Sequence, residues 1–402
     1  MATRTQAAQQ IQIFNTKLER EAVTPDPLSD FTATWDDNDK ALPKGNIVVR
    51  NDFKGKRTMT KTMLKNFSGS GITDPTVAQV GNEISFSTRE WKGYSGELRQ
   101  AVDSEQYGFY ANDWMDYGVL ERMQPNLSLW LSEMKGKYAR EALWQKYSTN
   151  LTGTPHSLTQ GYNENILVKN VALSFAADQQ PDYTVASAAA YLEDIGDALT
   201  TAGTTDAAKW DVEYLVSIEY WAKQRKIKPL KNGRYAVLVP SRAAKNLKDP
   251  TATDSIAEMY KDSNIEELAR MGYKSYLGTY GMLDLYEDIR APVTQLGGSD
   301  GSWTLTNYYK GAGDDDDRTN ATGTYFDVGF LLGENALHFN EFDRPRFVFE
   351  ENDYGRIRGV GIYAGCAYQR NMWVDDLASE TRASTMNQSS MALLTYAGSF
   401  TA

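Results

Sequence analysis

Between Phe53 and Leu98 the chain carries a pattern that a compact fold has difficulty accommodating. A basic, strand-like run from Phe53 to Phe67 reaches a small flexible tip, Ser68-Gly69-Ser70-Gly71, and a second strand-like run follows from Glu83 to Leu98. On the return run Ile84, Phe86 and Thr88 alternate with Ser85, Ser87 and Arg89, the period of a strand with one covered face. Arms of about 15 residues at about 3.3 Å each would project on the order of 50 Å. Two isolated strands are at best marginally stable in water, and this pair is too thinly apolar to build its own core. A neighbouring copy of the same chain is the expected cover.

The charge on this segment runs against the rest of the molecule. Residues 44–66 hold seven bases (Lys44, Arg50, Lys54, Lys56, Arg57, Lys61 and Lys65) against one acid, Asp52, in a chain of net charge −11. An acidic total argues against general nucleic-acid affinity, which rests on clustered Lys and Arg displacing counterions. No aromatic residue interleaves with the bases from Lys54 to Lys65, so base stacking has little support. Three readings stand: a solvated hairpin face, a nucleic-acid contact, or a surface complementary to acidic patches on another copy. Lysines also guard exposed strand edges against unwanted pairing.

After the hairpin comes an amphipathic helix, expected from Pro125 to Tyr147. Proline suits a first helical turn, and Leu127, Leu131, Met134, Tyr138 and Ala142 recur at spacings of three and four. Further helices are expected from Val185 to Thr201 with Thr184 as cap, from Glu213 to Lys226, and after a Ser263-Asn264-Ile265-Glu266 capping box up to Gly272. Strands are expected at Tyr235 to Val239, Leu283 to Glu287, Tyr325 to Leu332, Arg346 to Phe349 and Arg356 to Tyr368. Asp353, Tyr354 and Gly355 form the turn before the last of these. Gly297 to Gly323 reads as a loop, and the Ser- and Thr-rich tail from Ser379 as an extended arm. The mixed order of elements indicates an α+β fold.

Little in the chain suggests catalysis. There are two histidines and one cysteine. His156 falls in a loop, and His338 lies in Leu337-His338-Phe339 as a structural residue. Cys366 reads as a small buried hydrophobe. No disulfide within the chain and no cysteine zinc site can form. No phosphate-binding glycine loop is present. The run Asp314 to Asp317 reads as a solvated acidic loop, since Arg318 stands where a calcium loop would need a ligand. No catalytic residue, metal ligand or cofactor is assigned. No window approaches 18 apolar residues, so no membrane helix is expected. Tyr and Trp are plentiful within an aromatic content of 12%, which suits cores and protein interfaces alike. It also keeps a carbohydrate-active or carbohydrate-binding protein open as an alternative.

Several segments taken in order resemble the major capsid proteins of tailed bacteriophages, podophage coat subunits in particular. They are Leu64 to Gly71 followed by Val80-Gly81-Asn82-Glu83, Leu98 to Asp103 leading toward the long helix, Gly278 to Glu287, and Asp353-Tyr354-Gly355. The resemblance implies the capsid fold shared with herpesvirus shell floors. Its parts would be an N-terminal arm (1–46), an extended loop or E-loop (47–98), and a peripheral domain (99–180) with a spine helix at 125–147. An axial domain (181–300), a return to the peripheral domain (301–378) and a C-terminal arm (379–402) would follow. Interface candidates under this reading are Lys54, Lys56, Arg57, Lys61, Lys65, Gly69, Gly71, Glu83 and Trp91. It implies hexamers and pentamers of one shell enclosing double-stranded DNA in a virion, assembled in a bacterial cytoplasm. It further implies a separate scaffolding protein and a portal as partners, and leaves a decoration protein open.

Overall fold

Alternating apolar residues lay down the central sheet. In β7 (Tyr235–Pro240) every residue is buried, so the strand must have cover on both faces. Ala236 and Leu238 enter one core, whereas Tyr235, Val237 and Val239 enter a second. The same division holds in β12 (Thr324–Leu332), where Phe326, Val328, Phe330 and Leu332 face the first core and Leu331 the second. Strand β17 (Ser390–Ser399) sends Ala392 and Leu394 one way and Met391 and Leu393 the other. The computed structural model that shows this describes residues 28, 31–34, 47–52, 58–64, 87–103, 118–144, 166–169, 210–248, 276–295, 305–306, 324–352, 357–374, 385–386 and 389–399.

Eight strands make up this sheet. Its spine is β12, which pairs antiparallel with β17 along one edge and with β7 and β10 (Val293–Gln295) along the other. Strand β9 (Leu283–Asp288) lies parallel to β7, and β8 (Tyr276–Tyr280) returns antiparallel to β9. The short β11 (Leu305–Thr306) flanks β10, and β6 (Ile166–Val168) runs parallel to β17. The β8–β9 turn passes through Gly281 at φ +54, a left-handed conformation that glycine adopts without steric cost.

Two helices close one face. In α2 (Val212–Gln224), Tyr214, Leu215, Ile218 and Ala222 are buried at helical spacing. Asp211 caps it, accepting from the Tyr214 amide at 2.8 Å, and the same carboxylate takes Lys169 Nζ at 2.6 and 2.7 Å. Helix α3 (Ser241–Lys248) adds Ala243, Ala244 and Leu247 to the same core.

The opposite face is covered by α1 (Gly118–Trp144) and a five-stranded sheet ordered β1 (Thr32–Thr34), β2 (Val48–Asp52), β13 (Leu337–Asn352), β14 (Ile357–Arg370), β5 (Leu98–Asp103). At 1.5 Å per residue α1 spans about 40 Å. It buries Leu127, Leu131, Ala139, Ala142, Leu143 and Trp144. Its Arg140 and Asp288 at the end of β9 are both almost wholly buried and form a two-pronged ion pair. Nε donates to Oδ2 at 2.8 Å and Nη2 to Oδ1 at 2.6 Å, while Nη1 reaches the Gly136 carbonyl at 2.8 Å. This pair locks the long helix to the central sheet.

Several expectations need correction. The helix starts seven residues before Pro125, which sits inside it; tertiary packing overrides the preference of proline for a first turn. The tail is no arm: β17 is an interior strand with Met391, Ala392, Leu393 and Leu394 fully buried. Part of the expected N-terminal arm is likewise built in, because Leu28 and Phe31 are buried and Phe31 packs edge-on against Tyr286 at 4.9 Å. Strand β13 extends far beyond Arg346 to Phe349, to 16 residues, because two register shifts let it bend past Pro345. Gly365 sits opposite that bend, where a Cβ would stand 2.9 Å from the Asp343 amide nitrogen. Strand β9, expected at Leu283 to Glu287, is buried on both faces. The expected helices at Val185 to Thr201 and after Ser263, the Asp314 to Asp317 run, His156, and the turn Asp353-Tyr354-Gly355 lie outside the described residues; β13 and β14 stay in register as far as Asn352 and Ile357.

Candidate functional site

The hairpin read from the sequence exists as an antiparallel pair of β3 (Thr58–Leu64) and β4 (Thr88–Tyr94), in register from Thr58↔Tyr94 to Leu64↔Thr88. Burial falls along it. At its base Trp91, Gly93 and Tyr94 are buried, while at the last described pair Leu64 is 67% exposed. Along β3, Thr58, Thr60, Thr62 and Leu64 face outward. Beyond β4 the sheet continues through β15 (Trp373–Val374) to β16 (Thr385–Met386).

A polar ladder roots this base to the body. Lys61 Nζ donates to Asn51 Oδ1 at 2.8 Å, and Asn51 Nδ2 donates to Asn340 Oδ1 at 2.9 Å. Asn340 Nδ2 then donates to the Tyr94 carbonyl at 2.7 Å, and Gln369 Nε2 to the Lys92 carbonyl at 2.8 Å. Asn51 Nδ2 also stands 3.1 Å from His338 Nδ1. An amide nitrogen only donates, so the imidazole accepts there and its proton sits on Nε2. Burial, with the Lys61 charge acting the same way, pushes the His338 pKa down to about 3. Burial also lowers Lys61 to about 8. The Trp91 ring lies 4.5 Å from the His338 ring, with Lys61 Nζ 5.1 Å from its centroid.

Beside the ladder opens a cleft of about 440 Å³ lined by Arg50, Asp52, Met59, Lys61, Glu341 and Arg344, among others. Within it Arg50 pairs with Glu341, with an Nε–Oε2 separation of 2.7 Å. The site holds cations on a framework of buried amides. Among the described residues no group of three or more His, Cys, Asp or Glu is placed to hold a metal, and no helix is long and apolar enough to cross a membrane. Cys366 is buried on β14 with its thiol pushed up to about 11 by burial.

Two interface candidates change role. Trp91 is fully buried in its own chain, so it anchors the hairpin instead of meeting a neighbour. Lys61 turns inward to Asn51. The segment 47–98 is also less dependent on outside cover than its sequence suggests. Residues 48–52 and 98–103 are strands of the five-stranded sheet, and the hairpin base rests on that body. Lys54, Lys56, Arg57, Lys65, Gly69, Gly71 and Glu83 lie outside the described residues. The ladder amides Asn51, Asn340 and Gln369 escape sequence reasoning. Their only local signal is that polar residues stand at inward positions of strands.

With this geometry in hand, the fold can be placed: it is the fold of bacteriophage head and capsid subunits. The chain is similar to the head structure of Helicobacter pylori bacteriophage KHP40, with a TM-score of 0.59 at 13% identity, over 93% of this chain and 92% of that one. It is similar to the capsid of Ralstonia phage GP4 (0.57, 12%, 89% of each chain) and to the Cyanophage Pam1 capsid (0.54, 14%, 85% and 86%). No protein-family model matches the chain, and no curated protein does.

Proposed function

We propose that this chain is the major capsid protein of a tailed bacteriophage, a structural subunit that assembles into the shell around the phage genome. The observation that carries this reading is the fold match to phage head and capsid structures over about nine-tenths of both chains. The hairpin supports it. Its base is fixed by buried amides and an aromatic anchor, while Leu64, in the last described pair, is exposed to solvent. A rigid root suits a reach onto a neighbour.

Under this reading β3 and β4 belong to the E-loop and α1 is the spine helix. The five-stranded sheet belongs to the peripheral domain, and the central sheet with α2 and α3 to the axial domain. The role is structural and not enzymatic, and the shell is built of hexamers and pentamers in the host cytoplasm. A separate scaffolding protein and a portal complete the set of partners. The bases Lys54, Lys56, Arg57 and Lys65 meet acidic surface on the next copy, giving register more than raw affinity. Contacts that are weak singly hold firmly when each subunit makes several at once.

Expression of the chain, alone and with the other head proteins of its phage, tests this by electron microscopy and sedimentation. Shell-like particles are expected. Glutamate at positions 54, 56, 57 and 65 should leave folded subunits that fail to assemble, whereas exchange at 61 alone should act mainly on hairpin anchoring. A chain that stays monomeric under every condition overturns the proposal.

A further inference from the structure

The densest run of bases in the chain stands outside the hairpin. Between Glu219 and Asp249 there are nine bases and no acid, in a protein of net charge −11. Six of the nine fall between Lys223 and Arg234, at the end of α2 and in the turn that leads into β7. This turn is rigid. Ile227 and Leu230 are buried. The Leu230 amide donates to the Arg234 carbonyl and the Gly233 amide to the Leu230 carbonyl, both at 2.8 Å, and Tyr235 Oη donates to the Ile227 carbonyl at 3.0 Å. The Glu334 amide donates to the Lys228 carbonyl at 3.0 Å, which fixes the turn at the exit of β12.

Neighbouring acids engage only part of this charge. Lys223 pairs with Glu219, Lys228 with Glu334 at 2.8 Å and Arg234 with Asp284 at 2.9 Å, and Arg225 lies over the Trp221 ring. Lys226 and Lys231 are exposed and make no ion pair among the described residues. The dipole of α2 accounts for bases in its last turn, but Lys231 lies well past it. Lys226 holds a left-handed backbone, φ +54, at a helix end where glycine sits without steric cost. A base kept in that conformation, together with a second free base on the same rigid turn, marks a surface suited to an anion.

The chain carries a matching anion in Asp314 to Asp317, its longest run of acids. The run lies outside the described residues, but its segment leaves the sheet after Thr306 of β11 and rejoins it at Thr324, the first residue of β12. The basic turn sits at the other end of β12. From Thr324 to Gly333 is about 30 Å, whereas the seven residue steps back from Thr324 to Asp317 reach about 25 Å at most. The run therefore meets the turn of its own copy only when drawn out nearly straight, and that of another copy without such ordering. A nucleic-acid backbone fits less well. It presents phosphates at close, regular spacing, and Glu219, Asp284 and Glu334 stand among the bases. Four adjacent carboxylates can settle on the free lysines alone. We infer that Asp314 to Asp317 of one copy docks on Lys226 and Lys231 of the next. The two surfaces differ, so the contact runs head to tail and builds a ring or shell instead of a closed twofold pair. The inference rests on the shell reading and names one of its joints.

The test is crosslinking within particles assembled from the full chain, mixed in equal parts of light and heavy isotope form. A carbodiimide joins a lysine to a carboxylate only where the two touch. Peptide mass spectrometry should find Lys226 or Lys231 joined to the acidic run in pairs that mix light and heavy chains. Lys226→Glu together with Lys231→Glu should cut particle yield by about tenfold or more, since like charges then face each other. Adding Asp315→Lys and Asp316→Lys should recover most of it. Both lysines are exposed, and circular dichroism with the melting temperature establishes that each variant is folded. Particles without these links, links confined to unmixed pairs, or a combined variant no better than the lysine variant overturn the docking and leave the shell reading standing. A lysine variant that assembles like the parent overturns it too, and if that variant loses retention of double-stranded DNA the surface is a nucleic-acid one. A parent chain that makes no particles in the same experiment overturns the shell reading itself.

Discussion

Removing Arg140 should be among the most damaging single changes in the described structure. Arg140→Met keeps most of the stem volume but leaves Asp288 buried beside an apolar chain. The carboxylate loses two charge-assisted hydrogen bonds, of 2.8 and 2.6 Å, and keeps one from the Arg290 amide at 3.0 Å. Breaking a buried pair by deleting one partner costs about 3–5 kcal/mol, a factor of more than 100 in the folded population at about 1.4 kcal/mol per decade. That compares with a total stability on the order of 5–15 kcal/mol. Replacing both residues, as Arg140→Met with Asp288→Leu, removes the stranded charge and should recover most of the loss. The assay is urea unfolding of assembly-blocked subunits followed by tryptophan fluorescence, run as a double-mutant cycle. The two single losses should sum to several kcal/mol more than the loss in the double variant. Additive losses, or a single loss below about 1 kcal/mol, would show that the pair does not lock α1 to the sheet.

Two further changes probe the hairpin root and the strand bend. The His338 pKa is near 3 when folded and 6.5 when unfolded, so the unfolded chain takes up a proton that the folded one refuses. Stability from this site is full above about pH 6.5 and falls with pH down to about 3. The slope is about 1.4 kcal/mol per pH unit; His338→Phe should flatten the fall of urea midpoints across this window, and an unchanged slope would rule the histidine out. Gly365→Ala should cost about 1–3 kcal/mol through overpacking against the Asp343 backbone, read as a lower melting temperature, and an unshifted melt would mean that the bend yields freely.

Much of the architecture is legible in the sequence where one local signal suffices. The β3–β4 pairing follows from two strand-like runs joined through a glycine-rich tip, and β7 from its run of five apolar residues. What fails to show is set by distant partners. Met391 to Leu394 is a short apolar run among Ser and Thr, and only the edges of β12 and β6 make it an interior strand. The Arg140–Asp288 pair joins residues 148 positions apart, and charged residues ordinarily signal surface. Trp91 looks the same in sequence whether it meets a neighbour or its own His338. Strand β13 hides behind Asp343, Arg344 and Pro345, whose bulges break the alternation.

Strand β2 has its partner a long way down the chain. Asn51 meets Asn340, 289 residues later, and ribosomes add about 5–20 residues per second. Strand β2 therefore waits on the order of 15–60 s for β13, its partner on the side away from β1. Until then the root of the hairpin does not exist, and a half-made molecule has no fixed finger to extend. Synthesis itself thus times when the hairpin acquires its anchor.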